Sequence, residues 1–168
     1  MLVRDTLLPE FDHEMAMTRL ALERAATLPA AALEWRPHPK SFTLVGLATH
    51  LAQLPKWGVS ILTKDFHDLA DTRPHVTALP SLTAVLDTFD AHVREVRAAL
   101  VDMPDGQLLQ PWALRRGDRV VLSVPRVSAL RGFVVRHTVH HRGQLTVYLR
   151  MHDVPLPPLY GPTADEMM

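Results

Sequence analysis

The sequence contains no cysteine, which removes disulfides, zinc ribbons, iron–sulfur clusters and thiol nucleophiles at once. It has no run of about 18 apolar residues, so no membrane-spanning helix is expected. Its first residues, Met1-Leu-Val-Arg-Asp-Thr6, lack an apolar stretch ending in small residues. A secretory leader is therefore not expected, and the reading places the protein in the cytoplasm. No HExxH pattern supplies a metalloprotease base, and no Gly-rich phosphate loop, GxSxG elbow or EF-hand loop occurs. What remains is 168 residues with 47% hydrophobic and 21% charged side chains, enough for one packed core, read as a single domain over 1–168. Ten histidines are present. With thiolates missing, any soft-metal chemistry has to run on them.

Formal charge sums to zero, yet it is unevenly spread. Residues 1–105 carry fourteen acids and ten bases, whereas 106–168 carry eight bases and four acids. All eight of those bases are arginines between Arg115 and Arg150, with Asp118 the one acid among them. A basic third of this kind meets either an anionic partner or the acidic part of the same fold. No Lys-rich tail or basic patch interleaved with aromatics is present, so nucleic acid is the least favoured partner.

Four segments show helical periodicity. The first spans about 9–28, with Pro9 and the acids Glu10, Asp12 and Glu14 early and a stripe of Phe11, Met15, Leu22 and Ala25. The second runs from Thr43, a plausible N-cap, to Thr63; its seam reads Leu47, His50, Leu54, Trp57, Ile61, and Pro55 should kink or break it. The third, 81–103, carries Leu82, Val85, Phe89, Val93, Val96, Leu100 and Met103. The fourth, from Pro125 to His152, carries Leu130, Val134, His137, His141, Leu145 and Tyr148. Between the last two, residues 112–124 read as a short extended hairpin around Arg116-Gly117-Asp118 and Val120-Val121. Residues 29–42 and 64–80 read as loops, the second closed by Pro74 and Pro80, and the tail from Pro155 reads as coil. This pattern predicts an all-α four-helix bundle with a hairpin between helices three and four.

His137 and His141 lie four apart, so they project from one helical face on adjacent turns, and two imidazoles there can hold one ion. His50 interrupts another apolar seam and is the natural third ligand. The residues leave two readings open, a metal site or ordinary core histidines. His140, three from His137, is read as facing a neighbouring helix or supporting the site from behind. His13, His38, His67, His75, His92 and His152 have no partner at ligand spacing. Three neutral imidazoles on a divalent ion leave positions for water or substrate and lower the pKa of a bound water or thiol.

The string His137-Thr-Val-His-His-Arg-Gly-Gln-Leu-Thr-Val-Tyr-Leu-Arg150 resembles the C-terminal signature of the DinB/YfiT-like family, which shares only a name with a DNA polymerase. Trp35-Arg-Pro-His-Pro-Lys-Ser41, Leu47-Ala-Thr-His-Leu-Ala52 and Pro157-Pro-Leu-Tyr-Gly-Pro-Thr-Ala-Asp-Glu166 extend the resemblance over nearly the whole chain. The resemblance implies an up-down-down-up bundle, a homodimer, and a divalent nickel or zinc ion on His50, His137 and His141. It implies a thiol S-transferase or isomerase dependent on a low-molecular-weight thiol and acting on a small molecule; water in the thiol's place on the ion would instead give a hydrolase. The alternative is a stress-induced protein whose ion is structural. Within the signature, Arg142 is read as pairing with an acid on another helix, Gly143 as allowing close packing and Gln144 as bonding across the bundle, with a direct catalytic role as the other option. Trp35 is read as an anchor across the bundle end, and Tyr148 as core or support.

Overall fold

The computed structural model describes residues 3–71 and 77–167; Pro74 and His75 lie outside them. Helix α1 (Val3–Ala25) starts a full turn and a half before Pro9. Its start is fixed by a remote acid: Asp105 accepts from the Val3 and Arg4 backbone N–H groups at 2.5 and 3.1 Å. These are donors that no helical carbonyl can reach. Pro9 forfeits one backbone bond in the second turn without ending the helix. The buried stripe continues through Leu7, Phe11, Met15 and Leu22.

The predicted second helix is two helices. In α2 (Leu44–Gln53), Thr43 Oγ1 accepts from the Gly46 N–H at 3.1 Å, the cap expected from sequence. Pro55 then interrupts the backbone ladder and α3 (Lys56–Thr63) resumes on its far side. Helix α4 (Leu82–Val101), capped by Ser81, buries Leu82, Val85, Phe89, Val96 and Leu100 along the predicted stripe. A single turn, α5 (Asp105–Leu108), follows. The predicted fourth helix is composite: α6 (Arg126–Leu130), a π-helical turn over Arg131–Arg136, then α7 (His137–Met151).

The strands are β1 (Phe66–Asp68), β2 (Pro111–Arg116) and β3 (Arg119–Pro125), in the order β1-β2-β3. β2 and β3 form the expected antiparallel hairpin, with a register irregularity at Leu114/Arg115. Gly117 turns it at φ +58°, a backbone conformation that only glycine adopts freely. β1 pairs parallel to β2, Phe66 opposite Ala113. The expectation of an all-α four-helix bundle in up-down-down-up order is therefore corrected: the chain combines helices with a three-stranded mixed sheet. A strand of three residues is too short to carry an alternation that periodicity could detect, and a proline and a π-helical turn divide two of the four expected helices.

Helix α4 packs against α1, α2 and α3, while α7 packs against α1 and α2. Gly58 permits the α3–α4 approach, since a Cβ there would lie 2.8 and 2.9 Å from the two Val96 methyls. Four of the eight arginines in the C-terminal third pair with acids of the same chain. Arg126 pairs with Asp65, Arg131 with Glu10, Arg142 with Glu14 and Arg150 with Asp165. Three of those acids belong to the acidic N-terminal part, so the charge asymmetry is partly internal complementarity. Among the described residues, no helix is long and apolar enough to cross a membrane.

Candidate metal centre

Helix α2 is buried almost all round, from Leu44 through Ala52, and His50 is a half-buried exception. It faces α7, where His137 opens the helix directly after the π-helical turn and His141 follows one turn later. The His50 ring lies 4.5 Å from that of His141 and 5.3 Å from that of His137, centroid to centroid. The Nε2 atoms of His137 and His141 stand 3.0 Å apart. One ligand nitrogen from each of the three histidines falls within 4.8 Å of the other two, and the group includes no carboxylate. The structure thus brings together the three residues singled out from sequence.

Burial drives the His50 pKa down from 6.5 to about 4, with the neighbouring His141 and His137 adding to the effect. His137 is also lowered, by burial and then by His140, against a hydrogen bond to the Phe133 backbone. For His141, burial again lowers the value and outweighs the Gln144 hydrogen bond that raises it. All three rings are consequently neutral at pH 7 and each offers a lone pair. Two facing imidazole nitrogens at 3.0 Å need a proton or a cation between them. Three neutral nitrogen donors from two helices, without thiolate or carboxylate, match a divalent transition ion with open coordination positions.

The surroundings contain Phe42, which the sequence did not single out, beside Tyr148 and Trp35, which it did. Phe42 stacks on His50 at 5.4 Å and 17°, and meets His141 edge-on at 6.1 Å, although its side chain is 42% exposed. Tyr148, buried as expected, donates its hydroxyl to the Phe42 carbonyl at 3.1 Å. Trp35 packs edge-on against both Tyr148 and His152, so it anchors the proline-rich loop onto α7. That loop is bonded to the start of α2 by Leu44 N–H to the Trp35 carbonyl at 2.8 Å and Val45 N–H to the Leu33 carbonyl at 3.0 Å. A cavity of about 450 Å3 opens beside His141, bordered also by Pro37, Lys40, Phe42, Gln144 and Tyr148. An exposed aromatic in a loop has no periodicity to mark it, so Phe42 could be found only through the fold.

The signature residues after His141 have separate roles. Arg142 is 1% exposed and donates to the Glu14 carboxylate at 2.6 Å, the Glu14 carbonyl at 2.9 Å and Thr18 Oγ1 at 3.2 Å. It also bonds Tyr160, fastening the tail to α1. The pairing with an acid on another helix is as expected. Gly143 is not a close-packing point, because a Cβ there would meet open space. Gln144 does not reach across to another helix: its amide joins His141 Nδ1 at 2.8 Å and His140 Nε2 at 3.1 Å on α7 itself. His140 is exposed and touches the group only through that amide and an edge-on ring contact with His141. The other described histidines make contacts away from the group: His13 with Tyr160, His38 with the Lys40 N–H, His67 with Ser60, His92 with the Ala52 carbonyl and His152 with Trp35.

Residues 7–168 match the model of the DinB family. The chain belongs to the DinB family. No curated protein matches this sequence. Two crystal structures of DinB-like proteins share the fold. The Bacillus subtilis protein is 18% identical with a TM-score of 0.67, the match covering 89% of this chain and 96% of that one. The Bacillus cereus ATCC 10987 protein is 21% identical with a TM-score of 0.67, covering 93% and 97%. At such identities the likeness speaks for the fold alone. The histidine geometry of this DinB protein rests on its own residues.

Proposed function

We propose that this DinB-family protein holds one divalent transition metal, nickel or zinc, on His50, His137 and His141. We propose further that it uses the ion to transfer a low-molecular-weight thiol to a small electrophile, or water in a hydrolysis. The observation that carries the reading is the convergence of three neutral imidazoles, one of which, His141, borders a cavity large enough for a small molecule. When bound, the ion would supply Lewis acidity that makes an adjacent thiol or water a better nucleophile at neutral pH. The residues of the chain do the positioning. Phe42 covers the His50 side and limits water there, while Tyr148 holds the Phe42 backbone in place. Among the described residues, Lys40 is the one formally charged residue bordering the cavity, and it provides a counter-charge for an anionic group on the substrate. Since the protein has no cysteine, the sulfur in a thiol reaction must come from the co-substrate.

The test is His50→Ala, compared with the parent protein for thiol-dependent conjugation and hydrolysis of model electrophiles. Loss of turnover with an unchanged far-ultraviolet circular dichroism spectrum is expected, and retained turnover overturns the mechanism. A second reading, an ion that mainly ties α2 to α7, is favoured by the placement of its ligands on two packed helices. Under that reading, removing the metal unfolds the protein, whereas an open-site enzyme remains folded.

A further inference from the structure

We propose that Gln144 is a positioning residue: its amide carbonyl holds His141 in the tautomer with the proton on Nδ1, so that Nε2 turns its lone pair toward His137 and His50. This rests on the metal-binding reading above. Gln144 Oε1 lies 2.8 Å from His141 Nδ1, and a carbonyl oxygen can only accept, so Nδ1 must donate. A neutral imidazole carries one proton, and fixing it on Nδ1 leaves Nε2 free of hydrogen. That nitrogen faces His137 Nε2 at 3.0 Å. Left to itself in water, a neutral histidine favours the opposite tautomer, with the proton on Nε2. In that form the proton would occupy the place where a cation has to sit.

The other half of the amide sets its orientation. Gln144 Nε2 lies 3.1 Å from His140 Nε2, so the NH2 group donates outward and the carbonyl is left facing His141. The exposed His140 thereby contributes without ligating. Holding the outer nitrogen of a ligating histidine with an acceptor is the usual way a protein fixes ring tautomer and orientation, and its loss costs metal affinity roughly 10–100-fold. Gln144 is exposed and packs no core, so its side chain can be changed without disturbing the fold.

The experiment compares the parent with Gln144→Leu, which has no acceptor, and Gln144→Glu, whose carboxylate can only accept. Two readouts are taken: nickel(II) and zinc(II) affinity by competition titration with the metal salts alone, and the 15N side-chain signals of His141 in metal-free protein at pH 7.5. We expect a Nδ1-protonated His141 in the parent and in Gln144→Glu, and a shift to the Nε2-protonated form in Gln144→Leu. Affinity should fall about 10–100-fold in Gln144→Leu and be retained within a few-fold in Gln144→Glu. An unchanged tautomer in Gln144→Leu, affinity within twofold of the parent, or an equal loss in both variants overturns the proposal. If the parent takes up neither ion, the metal-binding reading fails on its own account, while the 15N signals still decide the role of Gln144.

Discussion

Single side chains show how closely this fold is held. Arg142 is almost fully buried, and its guanidinium is shared among Glu14, Thr18 and Tyr160. Arg142→Met would strand the Glu14 carboxylate, whose side chain is only 13% exposed, without its cation. Breaking a buried pair from one side costs about 3–5 kcal/mol, a loss to be read from urea denaturation. Gly58→Ala acts through volume instead. The new methyl would meet two Val96 methyls below 3 Å and Leu130 at 3.2 Å, so α3 and α4 must part. A loss of about 1–3 kcal/mol is expected in the same measurement, and an unchanged midpoint would mean that Val96 yields freely.

At the scale of elements, the site depends on how α2 and α7 are started. Thr43 caps α2 two turns before His50, and Thr43→Ala should cost about 1 kcal/mol, measured as a lowered thermal midpoint. Much of this level was legible in the sequence. The α4 stripe, the Thr43 cap, the break at Pro55 and the β2–β3 hairpin each arise from local chemistry that leaves a periodic or residue-type mark. The features that escaped were set by distant groups. α1 extends back to Val3 because Asp105 satisfies its first N–H groups, and β1 exists because β2 offers it backbone partners. The π-helical turn before His137 also left no mark, since it changes hydrogen-bond register without changing composition. For the site, the three histidines stood out as polar interruptions of apolar seams. Phe42, on a loop, and the intrahelical Gln144 bridge leave no such mark in the sequence.

For the whole molecule, histidine neutrality links stability to pH. In metal-free protein the folded His50 pKa, about 4, lies below the ordinary 6.5, so on acidification the unfolded chain takes up a proton first. The stability associated with the neutral ring is complete above about pH 6.5 and drains away down to about pH 4, with His137 and His141 shifted in the same direction. The thermal midpoint of metal-free protein should fall across that window, more steeply than in His50→Phe; parallel profiles would contradict it. Added nickel or zinc should raise the midpoint near neutrality and lose its effect in acid, because protons and metal compete for the same nitrogens. All of this depends on one property, an ion held by three imidazoles. Elemental analysis of protein purified without an affinity tag tests it most directly. About one nickel or zinc ion per chain is predicted, absent from folded His137→Ala. Folded parent protein that carries no transition metal under any supply condition would contradict the account.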